Sequence, residues 1–469
     1  MDFSKINKIY MIGIKGVGMT MLAEFLTHQG KIVSGSDVAE EFMTDQVLKK
    51  AGIRVYEGFD ASRINGEYDL IIYSTAYTPE TNEELRAALD GKVKTIKEIE
   101  GRAGVFNPHY GIAVCGSHGK TTTSAWLAYV LKAAGFDPNA MIGARVPQLG
   151  GESLLGSSNY FVLEADEYQN KLRYLEPHMV LLNNIDYDHP DYFKTVAEYE
   201  QAFADFVARV PKSGVVVANF DDPVVKRIVE ANCGARVVSY SLSGSADYIA
   251  RDISVHDGQQ FFSVALGNLD AATLEENETT DLGTFPITLS GQHNISNALG
   301  VIAACLEIGM ELLPLRTHLA EFTGTARRME RMGSFRGADI IDDYAHHPTE
   351  IRGTFEAIKQ RYPGKKIRAV FHPHTFTRTK ALLAEFGKSF AAADEVIVLE
   401  IYGSAREEQG GTSGLEVAEE IRKNGGKNIK FIATLADVEC YLRESIGENE
   451  VILLLGAGDV FRIGERLIS

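Results

Sequence analysis

Gly111-Ile-Ala-Val-Cys-Gly-Ser-His-Gly-Lys-Thr-Thr-Thr123 reads as a strand, a glycine loop and the first turn of a helix, in that order. The apolar run at 112–115 suits a buried parallel strand. It breaks over Gly116, Ser117, His118 and Gly119, and helical periodicity runs from Lys120 to about residue 135. Loop amides and the positive end of the helix dipole then converge on one point, and a phosphate fits there. Lys120 reaches the outer phosphates of a nucleotide from such a loop, and the hydroxyl of Thr121, backed by Thr122, suits Mg²⁺. The strict phosphate-loop pattern places a glycine where this chain has Val114, so this is a shorter Gly-x-x-Gly-Lys-Thr form. An ordinary strand-to-helix turn also explains a surface lysine, but not three threonines following Gly-Lys.

Around this loop, 469 residues give the length of about three domains. Hydrophobic content of 45% and charged content of 24% are ordinary for a soluble globular protein. The net charge of −17 argues against nonspecific nucleic-acid binding. It fits a solvated acidic surface, so local basic groups must handle any anionic ligand. Cys115, Cys233, Cys305 and Cys440 lack metal-type spacing and read as buried thiols in a reducing compartment. Met1-Asp-Phe-Ser-Lys5 leads straight into a strand and has no signal-peptide pattern. No apolar run approaches the roughly 18 residues of a membrane helix. The expectation is a cytoplasmic protein, monomeric or weakly dimeric, with no membrane or nucleic-acid partner.

Residues 6–13 form an apolar strand that leads into Gly13-Ile-Lys-Gly-Val-Gly18, a helix over 19–30 and a strand over 31–36. This is a βαβ unit whose glycine order differs from the dinucleotide fingerprint, which weakens an NAD reading. Gly16, Val17, Gly18 and Met19 open the helix where a phosphate would bind. Ser36 and Asp37 end the second strand. Asp37 meets a ribose or base there, or else simply caps a helix. Ser74, Thr75 and Ala76 follow the buried strand at 68–74 and suit either a ligand crevice or a plain turn.

After a break near 104–110, the central part has two acidic strand ends. Glu164-Ala-Asp166-Glu167 follows 160–164, and Asp186-Tyr-Asp188-His189 follows 180–185. Hard oxygen ligands beside a phosphate loop are what a magnesium nucleotide needs. Residues 246–286 alternate as antiparallel strands with a turn at Asp257-Gly258, and 275–281 reads as a solvated acidic loop. Asn294 and Asn297 share a helix face and either read an adenine edge or serve as caps. Thr323 to Arg328 reads as a hinge. Beyond it, strands alternate with helices. Asp342-Asp343-Tyr-Ala-His346-His347-Pro348 and His372-Pro-His374-Thr-Phe-Thr-Arg378 sit at strand ends taken as neighbours. Gly456-Ala-Gly458-Asp459 follows the last strand. Ligands gather at the carboxyl ends of strands in such sheets.

Eight motifs in this order resemble the Mur ligase family along essentially the whole chain: 13–19, 116–123, 164–167, 184–189, 293–298, 342–348, 374–379 and 456–459. The resemblance implies an α/β fold in three domains. These are a Rossmann-like UDP-sugar domain at 1–106, a central P-loop ATPase with an antiparallel appendage at 107–324, and a Rossmann-like domain at 325–469 that closes over the site by moving about the hinge. It implies that ATP phosphorylates the lactyl carboxylate of UDP-N-acetylmuramate and that an amine, L-alanine in the matching branch, displaces phosphate. It gives Lys120 the β- and γ-phosphates, Thr121 one Mg²⁺, and Glu164 and His189 a second. Asn294 and Asn297 are given the adenine, Asp342 or Asp343 the ATP ribose, and Arg327 the γ-phosphate. His347, His374 and Arg378 lie near the joining site, with Arg378 suited to the carboxylate of alanine. Gly16 to Met19, Ser36, Asp37 and Ser74 to Ala76 fall to the UDP-sugar.

Some positions depart from the alanine-adding pattern. Ser117 stands for a common threonine, and Tyr168 follows Glu167 where serine is usual. Tyr168 and the Asn183-Asn184 strand end are features of the branch that attaches a preformed tripeptide. The stretch 372–378 resembles the alanine-adding branch. The position where several members carry a modified lysine is Phe203 here, which fits that branch too.

Overall fold

The computed structural model describes residues 3–256, 258–267, 281–403, 407 and 409–469. They lie in two compact units. One is made of the chain up to Ile185 with Glu200–Tyr240 and Gly300–His318; the other is Asp186–Tyr199, Ser241–Leu299 and Leu319–Ser469.

The first unit contains a five-stranded parallel sheet in the order Arg54–Glu57, Ile32–Asp37, Lys8–Ile12, Leu70–Tyr73, Thr95–Lys97. The order reverses beside Lys8–Ile12, so the carboxyl end of that strand opens a crevice. The apolar runs that suggested buried strands are fully buried, among them Ile9 to Ile12 and Leu70 to Ile72. Further strands run Arg236–Ser241, Val215–Asn219, Met179–Leu182, Tyr110–Cys115, Tyr160–Glu164, Asn139–Val146, Gly151–Leu154. All pair in parallel except the last, which is antiparallel to Asn139–Val146. The break expected near 104–110 is a tight passage from the helix Glu98–Phe106 into the strand Tyr110–Cys115. Phe25 and Phe106 both pack on Phe161, at 5.3 and 5.5 Å between ring centres, so the two sheets share one hydrophobic joint.

The second unit holds the antiparallel strands Tyr248–His256, Gln259–Leu266 and Asp281–Ile287. Asp257 of the expected turn lies outside the described residues, as do residues 275–280 of the expected acidic loop. A six-stranded sheet follows in the order Glu330–Phe335, Ala338–Asp343, Glu450–Leu455, Lys366–Phe371, Glu395–Val398, Ile429–Phe431. Only its first strand is antiparallel. Phe355, Phe386 and Phe390 pack on one face, and Val438, Leu442 and Ile463 on the other.

Two expectations need correction. The strands ending in His346-His347 and in His372 to Arg378 are not neighbours, because Glu450–Leu455 lies between them. It is the last strand in the chain, and the local sequence does not reveal that it inserts there. The thiols are also not uniformly buried: Cys115 and Cys305 are, Cys233 is half-buried and Cys440 is exposed.

Candidate functional site

In the first unit, the loop between the strand Tyr110–Cys115 and the helix Lys120–Ala133 has the expected shape. Gly116 has φ 132°, and a Cβ there would lie 2.9 Å from the Asn184 carbonyl oxygen, so only glycine fits. Gly119 caps the helix in the left-handed region at φ 79°. The loop is fastened by the next strand end. Ser117 N–H donates to the Asn184 carbonyl at 3.1 Å, and His118 N–H to Asn184 Oδ1 at 2.8 Å. Asn183 donates to Thr123 Oγ1 at 3.0 Å. Asn183-Asn184, a strand end in the sequence and the start of the 184–189 motif, is the loop's mould.

Lys120 Nζ donates to the carbonyls of Gly116 and Ser117, at 2.6 and 3.1 Å, and to Glu167 Oε2 at 2.8 Å. Burial alone would lower its pKa, but Glu167, Asp166 and Glu164 outweigh it and hold the ammonium charged. Thr121 Oγ1 donates to Glu164 Oε1 at 2.8 Å, and Gly143 N–H reaches the other carboxylate oxygen at 2.6 Å. A hydroxyl and a carboxylate converging at the foot of a phosphate loop are hard oxygen donors that suit Mg²⁺. Thr122 is buried in the same turn.

At the glycine turn of the five-stranded sheet, Gly13 has φ 80° and its N–H donates to the Ser36 carbonyl at 2.9 Å. Gly16 caps the helix Val17–His28. Gly18 faces Glu98, whose Oε1 lies 2.5 Å from where a Cβ would be. Val17 is exposed and Met19 belongs to the core. Asp37 caps no helix. Its Oδ2 accepts Lys15 N–H at 2.7 Å, and its Oδ1 accepts the Tyr77 hydroxyl at 2.9 Å. Ser36 is fully buried and its hydroxyl donates to Glu84, so it braces the sheet and does not line the crevice. Ser74 Oγ accepts Ala76 N–H at 3.3 Å in a tight turn, and Thr75 Oγ1 donates to Gln169 at 2.8 Å.

The second unit carries the histidines. Arg378 is buried and grips Asp188 with Nε at 2.8 Å and Nη2 at 3.3 Å, while Nη1 donates to the His374 carbonyl at 3.3 Å. Burial would raise the Asp188 pKa, but Arg378 and then His189 hold it well below the usual carboxylate range. His189, at φ 57°, donates its N–H to Asp188 Oδ1 at 2.6 Å. His374 stacks on Tyr402, with ring centres 5.8 Å apart, and meets His346 edge-on at 6.3 Å. Burial first, then His346 and Arg378, lowers His374 to about 3. Burial lowers His346 to about 4. Both rings are therefore neutral near pH 7 and available as acceptors.

His347 caps the helix Pro348–Arg361, its Nδ1 accepting Thr349 N–H at 3.3 Å, and lies 3.6 Å from Asp186. Burial raises both Asp342 and Asp343 to about 6. Arg327 Nε donates to Asp342 at 3.0 Å, and its Nη2 to the carbonyls of Gly456 and Gly458 at 2.7 and 2.9 Å. Asn294 donates to the Ser290 carbonyl at 2.7 Å, and Asn297 to Asn294 Oδ1 at 3.2 Å. Asn294 meets Asn297, and Arg378 meets the His374 carbonyl, as their spacing along a helix implies. The partners of Glu167, Asp188, Asn184, Tyr77 and Tyr402 are not legible in the chain. Acidic residues immediately after Glu164 and before His189 were the available signals for Glu167 and Asp188.

Three family models match the chain: the Mur ligase family catalytic domain over residues 8–102, the Mur ligase middle domain over 114–305, and the Mur ligase glutamate ligase domain over 327–458. The UDP-N-acetylmuramate–L-alanine ligase of Desulfitobacterium hafniense is 38% identical, covering 98% of this chain and 99% of that protein. That of Clostridium acetobutylicum is 37% identical, covering 100% and 98%. Among solved structures, the UDP-N-acetylmuramate-alanine ligase of Thermotoga maritima superposes with a TM-score of 0.80 at 26% identity, covering 98% of each chain. A murein peptide ligase of Psychrobacter arcticus shares the fold, with a TM-score of 0.73 at 24% identity and 98% coverage of each chain.

Proposed function

As a chain that belongs to the Mur ligase family, this protein, we propose, joins L-alanine to the lactyl carboxylate of UDP-N-acetylmuramate at the expense of ATP, in peptidoglycan precursor synthesis. The observation that carries the chemistry is the charged Lys120 in its glycine loop, next to Thr121, whose hydroxyl donates to Glu164 at 2.8 Å. The relatives named for alanine addition support the choice of amine.

A carboxylate is inert to amines until one oxygen is made a leaving group. Attack of the lactyl carboxylate oxygen on the γ-phosphorus breaks the bond to the β-phosphate oxygen, and ADP leaves. The amine of alanine then adds to the acyl phosphate carbon, and the tetrahedral adduct expels phosphate and loses a proton. Lys120 neutralises the β- and γ-phosphates as the leaving charge develops. We assign Thr121 to one Mg²⁺ and Glu164 and His189 to a second; ions held there would offset negative charge on the phosphates. Asn294 and Asn297 take the adenine, Asp342 or Asp343 the ribose, and Arg327 the γ-phosphate. His374 and Arg378 take the amino acid. In this reading, residues 1–106 hold the UDP-sugar, 107–324 the ATP, and 325–469 complete the chemistry. Among the described residues no helix is long and apolar enough to cross a membrane, and we place the reaction in the cytoplasm.

Tyr168 after Glu167, and the Asn183-Asn184 strand end, favour a second reading in which the amine is L-Ala-D-Glu-diaminopimelate. A substrate panel separates them. ATP and UDP-N-acetylmuramate are supplied with alanine, glycine, serine or the tripeptide, and ADP and amide mass are measured. Turnover with alanine is expected. Turnover with the tripeptide alone overturns the first reading.

A further inference from the structure

Tyr77 stands where four loops meet. Its ring covers the first glycine of the turn after Lys8–Ile12: a Cβ on Gly13 would lie 2.7 Å from Tyr77 Cε2. Its hydroxyl donates to Asp37 Oδ1, at the end of Ile32–Asp37, at 2.9 Å. Its N–H closes a turn onto the Ser74 carbonyl at 3.2 Å, just past Leu70–Tyr73. Phe59, beyond Arg54–Glu57, packs edge-on against it at 4.9 Å and 67°. These four strands are consecutive in the sheet, and the strand order reverses within them, where ligands bind.

Asp37 explains why this placement matters. Asp37 is nearly buried, at 4% exposure. An ionised carboxylate offers about four acceptor sites. On Oδ1, one is taken by the Tyr77 hydroxyl and one by Val38 N–H at 2.9 Å. On Oδ2, one is taken by Lys15 N–H at 2.7 Å. Among the described residues one site remains, on Oδ2, and its direction is set by Lys15 N–H on that oxygen and by Tyr77 and Val38 holding the other. A single hydroxyl can be accepted there.

We propose that Tyr77 is a positioning residue for the sugar nucleotide: it aims the last acceptor site of Asp37 at a ribose hydroxyl of the uridine diphosphate moiety. The inference rests on the glycine turn being the UDP-sugar site. It assigns ribose selectivity to a side chain outside the Gly13–Met19 and Ser74–Ala76 motifs.

The test is Tyr77→Phe in the full chain, which keeps the ring over Gly13 and removes only the hydroxyl. Calorimetric Kd values are measured for UDP, 2′-deoxy-UDP, 3′-deoxy-UDP and a nonhydrolysable ATP analogue, with KM and kcat alongside. Wild type should bind one of the deoxy compounds about tenfold more weakly than UDP. Tyr77→Phe should weaken UDP about tenfold and abolish that discrimination. It should raise KM for the UDP-sugar with kcat and the ATP analogue's Kd within twofold. Tyr77→Phe with wild-type UDP affinity and intact ribose discrimination overturns the role of Tyr77, as does equal weakening toward the ATP analogue. Wild type that binds no UDP overturns the reading of the glycine turn itself.

Discussion

Lys120 Nζ lies 2.8 Å from Glu167 Oε2, with the two side chains only 14% and 1% exposed. A buried carboxylate thus occupies the coordination of the lysine that the proposed reaction needs for phosphate. Removing one partner strands the other charge in a low-dielectric site, which costs about 3–5 kcal/mol. Lys120→Met should therefore lower the melting temperature and also abolish ligation, by 10³-fold or more on the scale of a lost phosphate clamp. Adding Glu167→Leu to Lys120→Met should restore most of the stability and none of the activity. Thermal melts and ADP release distinguish the two effects; recovery of turnover in the double variant would refute the role of Lys120.

The Arg378–Asp188 pair makes a parallel case in the second unit. Two guanidinium nitrogens meet two carboxylate oxygens, a geometry that lysine cannot reproduce. Arg378→Lys is expected to raise KM for alanine about tenfold with KM for ATP little changed, if a guanidinium N–H also meets the amino acid. Asp188→Asn leaves Arg378 charged, buried and unneutralised, and should cost about 3 kcal/mol. Asp188 is held ionised well below its ordinary range, so its contribution is present above the unfolded pKa of about 4 and fades only as pH falls through the lower folded value. A melting temperature unchanged by Asp188→Asn at pH 7 would contradict this.

Glu152 has the opposite sign. It is buried on the strand Gly151–Leu154, and burial, then Glu24 on the helix Val17–His28, then Glu164, raise its pKa from 4.5 to about 7 against the opposing pull of Arg145. The folded state then binds a proton that the unfolded state has lost between about pH 4.5 and 7. The stability this proton provides is complete below pH 4.5 and is lost as pH rises through 7, on the order of a few kcal/mol. Glu152→Gln should match wild type near pH 5 and melt higher at pH 8. Parallel melting curves across that range would rule the effect out.

How much of this was legible in the chain follows from the range of each interaction. Gly116, Gly119 and Lys120 act within one strand-to-helix turn, so spacing alone conveyed their geometry. The antiparallel strands 248–287 showed in their alternation for the same reason. Asp188 meets Arg378 across 190 positions, and only the fold joins them. Nor does a strand's own sequence say which strand it pairs with: Glu450–Leu455 enters the sheet between two strands that are consecutive in the chain. Ser36 looked like a ligand residue because it ends a strand, yet its hydroxyl points inward to Glu84. Alternation assigns a face only when the neighbouring side chains differ in polarity, and Ser34-Gly35-Ser36-Asp37 gives no such contrast.

Arg327 gives the sharpest division between fastening and chemistry. It sits at φ 60°, with its guanidinium between the rings of Tyr344 and Phe461, 5.0 and 4.8 Å from their centres. Three of its hydrogen bonds tie Asp342 to the carbonyls of Gly456 and Gly458, linking two adjacent strand ends. A lysine keeps the charge but cannot span these acceptors or lie flat between the rings. Arg327→Lys should therefore cost about 2 kcal/mol of stability through lost hydrogen bonds to a charged donor. Nη1 gives only one long bond, 3.4 Å to the Ala457 carbonyl, so it keeps an N–H for the γ-phosphate; if the guanidinium meets that phosphate, kcat should fall by about 10²-fold or more. Melting temperature and kcat below the melting range, measured together, separate the roles. A lowered melting temperature with kcat within threefold of wild type would leave Arg327 as a fastener alone and remove it from the phosphate site.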